Sequence, residues 1–327
     1  TAVVRDLPRI VYRINQTARA VARYKPDCLV TIDVPGFNLP VARKVRAANP
    51  AIPIVHYVCP SVWAWRAGRA PRMRPYVDKV LCLLPFEPQA LERLHGPAGV
   101  FVGHRLARDP WIAGAAERQL RRAGARRQDG ATTLLVLPGS RAGEVRGLLP
   151  AFGETTAILR ERGNRLRLLL PTVPNVVDLV RKGTENWPNQ PQIILDQGRK
   201  WEAFGEADAA LAASGTVSLE LALARVPFVA CYKVDPIMRL FQGMISIWTA
   251  SLPNLIADHP VVPEYYNEFV RPGALARRVE QLSAVSLERA AQIEGFENIA
   301  AALATPRSSG EMAADVVLRE IRVRAGK

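Results

Sequence analysis

The sequence predicts an α/β protein of two doubly wound parallel-sheet lobes, and three observations predict it. Apolar, β-branched runs of strand length alternate with helical patterns, the rhythm of parallel sheets covered on both faces. A polar, Arg-rich, Gly-broken stretch at 107–130 separates two such alternations. The 327 residues also exceed the roughly 250–300 at which a single core stops growing.

In order, residues 8–24 mix apolar and basic positions at helical spacing, Lys25-Pro26-Asp27 breaks the pattern, and the apolar run Cys28 to Ile32 reads as a buried strand. Residues 39–49 are helical again. Strands follow at 52–58, 79–84 and 100–102, with a helix at 88–94. The first lobe is therefore expected over 1–115. Because the chain opens at Thr1 inside an apparent helix, that lobe is expected to be incomplete at its N-terminus. A second lobe over 131–272 alternates strands at 132–137, 166–170, 192–195, 209–213 and 227–232 with helices at about 147–162, 175–185, 200–207 and 217–224. Residues 273–327 read as helices broken at 305–310.

Composition narrows the class. Hydrophobic residues at 49% and charged residues at 23% describe a globular protein. The net charge of +14 favours anionic partners: membrane surfaces, phosphorylated substrates or nucleic acid. Arg121-Arg122 and Arg126-Arg127 fit either such a surface or a solvated linker. Cys28, Cys59, Cys82 and Cys231 form no C-x-x-C pair, and the four His show no ligand spacing, so neither a disulfide framework nor a metal site is expected. No run of about 18 apolar residues suggests a membrane span, and the opening does not read as a signal peptide.

Ligands of open parallel sheets bind beyond the carboxyl ends of the strands, and four loops there carry chemistry. In T-I-D-V-P-G-F-N, Asp33 reads as a general base, rigidly held and open to tuning by burial, or as a helix cap. In L-P-G-S-R-A-G-E-V, residues 137–145, Gly139, Ser140 and Arg141 join a strand to a helix and read as an anion-binding turn that is neither a Walker loop nor G-x-G-x-x-G. In A-S-G-T-V-S-L-E, Ser214, Gly215 and Thr216 offer hydroxyls and amides to a diphosphate, and Glu220 is placed to accept from ribose hydroxyls; a capping box fits the same letters. The fourth is Ser251 to Ile256, preceded at 236–248 by an amphipathic stretch with Met, Phe and Trp that suits a bilayer interface or a core helix. Val62 to Arg66 places two Trp and an Arg in one loop.

Together these segments resemble the lipid-A-disaccharide synthases. T-I-D-V-P-G-F-N-L, I-V-H-Y-V-C-P-S-V-W-A-W-R, L-L-P-F-E and F-V-G-H resemble that family's N-terminal lobe; L-P-G-S-R-x-G-E-V, A-S-G-T-V-S-L-E and S-L-P-N-L-I-A resemble its C-terminal lobe, in the same order. The resemblance implies a GT-B fold, two Rossmann-like lobes with a cleft between them, and no metal or cofactor. It implies inverting transfer from UDP-2,3-diacylglucosamine to the 6-hydroxyl of 2,3-diacylglucosamine 1-phosphate (lipid X), at the cytoplasmic face of the inner membrane, with a homodimer as the implied assembly. It makes Asp33 the general base, Arg141 the essential arginine and Glu220 the acid near the ribose. Gly139, Ser140, Glu144, Ser214, Gly215, Thr216 and Asn254 join Arg141 and Glu220 as expected UDP-sugar ligands. Asn38, His56, Ser61, Trp63, Trp65, Arg66 and His104 are candidates for the acceptor or for lobe closure. The chain departs from the family pattern at Gly36 (usually Asp), Cys59 (Ser), Arg105 (Pro) and Asn267 (Gln), and a Gly-Glu-x-Ser-Gly-Asp loop expected before Thr1 is not in the sequence. The rival readings are another UDP-sugar transferase or a UDP-N-acetylglucosamine 2-epimerase, and a noncatalytic basic protein that binds membrane or nucleic acid; no nucleic-acid motif is present.

Overall fold

The computed structural model describes residues 6–122, 130–233 and 247–326. The chain divides into two compact units, one built mainly of Thr1–Arg105 and Leu303–Lys327, the other of Leu106–Gln242 and Trp248–Ala302.

The first unit carries helix α1 (Leu7–Tyr24), β1 (Leu29–Ile32), α2 (Pro35–Ala48), β2 (Ile54–Tyr57), the short α3 (Arg69–Met73), β3 (Lys79–Cys82), α4 (Glu87–Arg93) and β4 (Ala98–Phe101). Helix α1 stops at Lys25, whose left-handed backbone (φ 51°) turns its N–H back onto the Val21 carbonyl. The strands pair in parallel in the order β1-β2-β3-β4. Neighbouring residues of a strand face opposite sides, and β2 shows the result. Ile54 packs with Ile14, Ala18 and Val45 of the first two helices, while Val55 packs with Leu81 and Val102. The latter face is covered from far along the sequence by Met312, Val316 and Val317 of the final helix, α13 (Ser309–Ala325). Ser308 and Glu311 form a capping box that starts that helix, and Arg324 near its end donates to Asp78 at 2.9 Å.

One expectation is corrected here. In the run 28–32, Thr31 is buried but Val30 and Ile32 are exposed, and β1 bonds to β2 alone among the described residues.

The second unit carries α5 (Pro110–Arg122), β5 (Thr132–Leu137), α6 (Ala142–Glu161), β6 (Leu166–Pro171), α7 (Val177–Thr184), β7 (Gln192–Ile194), α8 (Gln197–Glu206), β8 (Ala209–Ala213), α9 (Thr216–Leu223), β9 (Phe228–Tyr232), α10 (Leu252–Ala257), β10 (Glu264–Tyr266), α11 (Pro272–Ser283) and most of α12 (Leu287–Leu303). Its six strands run parallel in the order β10-β9-β8-β5-β6-β7. The chain starts at the centre, builds outward through β6 and β7, then returns to the other side of β5 with β8. That reversal leaves a crevice beyond the carboxyl ends of β5 and β8. The central strands are apolar along their length because helices cover both faces; Leu134, Val136, Leu211 and Val229 are all fully buried against Phe152 and Leu148 of α6.

The Arg-rich stretch at 107–130 is not a linker throughout. Residues 110–122 form α5, which buries Ile112, Ala115 and Gln119, and the Gln119 amide donates to the carbonyls of Phe204 and Ala207, each at 2.7 Å. Arg122 is no solvated charge either, since it pairs with Asp208 at 3.1 Å. Arg126-Arg127 and nearly all of the apolar stretch 236–248 lie outside the described residues. Among the described residues no helix is long and apolar enough to cross a membrane.

Candidate functional site

The crevice of the second unit is an open cavity of about 300 Å³. It is lined by Gly139, Ser140, Arg141 and Glu144 after β5, by residues after β6 and β7, by Lys200 of α8, and by Ser214, Gly215, Thr216 and Glu220 after β8. Eight of the nine residues expected to bind UDP-sugar therefore meet in one place. Asn254 does not. It is buried in α10, donates to Val262 O and Glu264 Oε2, and accepts from the amides of Val261 and Val262, so its amide group is consumed in holding the 249–264 segment together.

The two glycine turns differ in a way their letters do not reveal. After β5, the Glu144 carboxylate folds back and accepts from the backbone amides of Ser140 (3.0 Å) and Arg141 (3.3 Å), and from the Arg141 guanidinium at 2.7 Å. The expected anion nest is thus filled by the chain's own carboxylate. Gly139, at φ +109°, is required for that closure because a β-carbon there would overlap Glu144 Oε2. The Arg141 side chain, oriented by that contact, is otherwise 82% exposed.

After β8 the corresponding amides are open. Helix α9 starts at Thr216 with no side-chain cap, and a β-carbon at Gly215 would meet only open space. The positive end of α9 faces the cavity, and among the described residues the N–H groups of Thr216 and Val217 meet no acceptor, the arrangement that attracts anions. One turn inward, Glu220 receives Lys200 Nζ at 2.7 Å, and that ammonium lies 4.4 Å over the Trp201 ring. Lys200 was not singled out in the sequence, where a lysine in a polar helix start carries no signal. Its packing fixes the Glu220 carboxylate at the cavity wall.

In the first unit Asp33 ends β1 in an unusual backbone. Asp33 (φ 48°) and Val34 (φ 42°) are consecutive left-handed residues, and for a β-branched valine that conformation is an outlier. The Asn38 amide holds it there, donating to the carbonyls of Ile32 and Asp33, both at 2.8 Å. Local strain maintained by a dedicated clamp is a mark of functional positions. Asp33 itself is exposed, not buried as a setting tuned by desolvation requires.

His56 lies behind this turn on β2, fully buried, with Nδ1 2.7 Å from Thr31 Oγ1 and Nε2 without a partner among the described residues. Burial lowers its pKa to about 4, with only partial opposition from the charge of Asp33, so the imidazole is neutral at ordinary pH. It is no proton carrier near neutrality.

The tryptophan loop is organised by Glu87, a residue the sequence reading passed over. Its buried carboxylate accepts from the amides of Leu83 (2.9 Å) and Leu84 (3.0 Å) and from Trp63 Nε1 (3.2 Å). Trp63 also meets Phe86 edge to face at 5.1 Å. Ser61 serves through its carbonyl, which accepts from the amides of Ala64 and Trp65, while its side chain is exposed. Trp65 is 40% exposed and carries the Arg66 guanidinium 4.2 Å above its ring. His104 follows β4 and is half-buried; desolvation and then Arg105 lower its pKa.

A model of the lipid-A-disaccharide synthetase family matches residues 1–309. The lipid-A-disaccharide synthase of Nitrobacter winogradskyi is 45% identical over 326 residues, covering 98% of this chain and 81% of that protein. That of Rhodopseudomonas palustris strain HaA2 is 46% identical over 325 residues, again covering 98% and 81%. The chain belongs to the lipid-A-disaccharide synthetase family.

Solved structures agree on the fold. MurG of Acinetobacter baumannii superposes with a TM-score of 0.57 at 16% identity, covering 95% of this chain and 78% of that one. A trehalose 6-phosphate synthase of Burkholderia multivorans gives 0.58 at 14% identity, covering 98% and 77%. At these identities the likeness establishes a GT-B fold and nothing finer. Family and fold together make the chain a hexosyltransferase.

Where the synthetase family usually has serine, Cys59 sits buried beside Cys82 and Glu87, and potential ligand atoms of the three lie within 4.8 Å of one another. The Glu87 oxygens already hold three N–H donors, and the Cys82 contact together with burial pushes the Cys59 thiol up, away from the thiolate that binds metals. This trio is packing around Trp63. No local spacing reveals it, because it forms only when β2 and β3 pair.

Proposed function

We propose that the chain transfers 2,3-diacylglucosamine from UDP-2,3-diacylglucosamine to the 6-hydroxyl of 2,3-diacylglucosamine 1-phosphate (lipid X), inverting the anomeric centre and releasing UDP. Beyond family membership, the observation that carries this reading is the cavity beyond β5 and β8, with the open α9 N-terminus on one side and Arg141 on the other. The second unit is assigned to the UDP-sugar and the first to the acceptor. The diphosphate is held by the amides of Thr216 and Val217 and by Arg141, which meet the negative charge growing on the leaving group. Glu220, fixed by Lys200, accepts from the ribose hydroxyls. Asp33 takes the proton of the acceptor 6-hydroxyl while that oxygen bonds to the anomeric carbon. The bond from that carbon to the β-phosphate oxygen breaks, and its electron pair leaves with UDP. A net charge of +14 supports work at an anionic surface, the cytoplasmic face of the inner membrane, where both acylated substrates reside. The assembly proposed there is a homodimer.

The test is UDP release from UDP-2,3-diacylglucosamine with and without lipid X, in wild type and Asp33→Asn. Release by the wild type should require lipid X, and the variant should lose about 10²–10⁴-fold in turnover, the usual worth of a general base, with UDP affinity unchanged. Release that ignores lipid X would point to a different acceptor or to epimerase chemistry. Near-normal turnover by the variant would remove Asp33 from the role.

A further inference from the structure

The first unit holds a second, larger pocket, about 950 Å³, that the assignments above do not use. Its wall begins at Pro35, two residues beyond Asp33, and includes Gly36 and Arg43 of α2, Arg66 of the tryptophan loop, and Arg69 and Arg72 of α3. Gly36 and Arg43 are seven apart, two turns along one face of their helix. Four arginines thus line one space, and no Asp or Glu lines it.

Their lack of partners sets them apart from their neighbours. Arg46 and Arg324 both pair with Asp78 in the same unit, whereas among the described residues none of Arg43, Arg66, Arg69 and Arg72 has a carboxylate within salt-bridge distance. Arg66 is steadied over Trp65, an arrangement that leaves its charge uncompensated. Arg69 is half-buried, and desolvation, then repulsion from Arg66, work against its charge. Four like charges gathered without a counter-charge raise the energy of the empty pocket, and an anion relieves it. Arginine also offers paired donors that match phosphate oxygens.

We propose that this four-arginine pocket binds a phosphate monoester, the 1-phosphate of the glycosyl acceptor, and so sets the acceptor beside the Asp33 turn. The assignment rests on the reading of the reaction given above. The anion chemistry does not, and the two are tested separately.

The first measurement is direct binding of glucosamine 1-phosphate to the full chain by calorimetry, which requires no turnover. The variants are Arg43→Gln/Arg72→Gln and Arg69→Gln. The second is the sharper probe, because desolvation and Arg66 already work against the Arg69 charge, so its neutralisation does not cost stability. It removes one guanidinium from the pocket while leaving the fold intact. Both variants should weaken glucosamine 1-phosphate binding at least tenfold and raise the acceptor KM at least tenfold, with the KM for the UDP-sugar unchanged. Dephosphorylated 2,3-diacylglucosamine should be used equally poorly by wild type and variants. If binding falls but no variant or wild type turns over lipid X, the phosphate pocket stands and the reaction assignment fails. Wild-type binding and KM in both variants overturn the pocket. Reduced attachment to phosphatidylglycerol vesicles, with glucosamine 1-phosphate binding unchanged, would give the arginines to a lipid headgroup and overturn the acceptor assignment.

Discussion

Gly139→Ala isolates the latch that Glu144 forms across the turn after β5. At φ +109° the alanine backbone is strained by roughly 1–2 kcal/mol. Its β-carbon would overlap Glu144 Oε2 and stand 2.6 Å from Glu144 Cβ, so the carboxylate must leave. The amides of Ser140 and Arg141 then lose their acceptor; counting the 3.0 Å bond fully and the 3.3 Å bond little, the loss is about 2 kcal/mol for a charged partner. The sum, about 3 kcal/mol, corresponds to a drop of roughly 6–12 °C in Tm for a unit of this size. UDP affinity should fall at least tenfold, because Arg141 loses the contact that orients it. Differential scanning calorimetry and UDP titration read the two effects. Gly143→Ala is the internal control: it lies in the first turn of α6 with open space around its β-carbon, and alanine there should be neutral or stabilising by up to about 1 kcal/mol. If Gly139→Ala melts within 2 °C of wild type and binds UDP within twofold, the latch does not hold the turn.

Two further changes test the packing behind the sites. Burial lifts the Glu87 carboxyl from 4.5 to about 7, so the native state holds that proton more tightly than the unfolded chain does. Its stabilising contribution is present below about pH 4.5 and is lost as pH rises through 7, a swing of about 3 kcal/mol. Urea unfolding of Glu87→Gln should reveal it as a growing advantage of the variant over wild type between those pH values; a gap that does not move with pH would refute it. Gln119→Leu leaves the buried carbonyls of Phe204 and Ala207 without donors and should cost about 3 kcal/mol in urea unfolding, whereas a loss under 0.5 kcal/mol would make α5 a passenger.

Sequence alone determined the architecture, because strand and helix periods are local and each parallel strand must alternate with a covering helix. The runs 132–137 and 209–213 read as strands and are strands, and the turns that follow them were recognisable from their small residues and the helices they start. Tertiary structure decided what those turns do. The letters G-S-R and S-G-T look equally suited to an anion, but only the fold shows Glu144 filling the first and leaving the second open. The same holds wherever partners are distant in sequence. Lys200 meets Glu220 across the sheet end, Asn254 spends its amide on its own loop, and α13 returns to cover Val55 and Leu81. Four arginines from a helix, a loop and a short helix meet in one pocket. Periodicity is written residue by residue, whereas a side chain's charge partner is set by which strands become neighbours, and no local pattern encodes that.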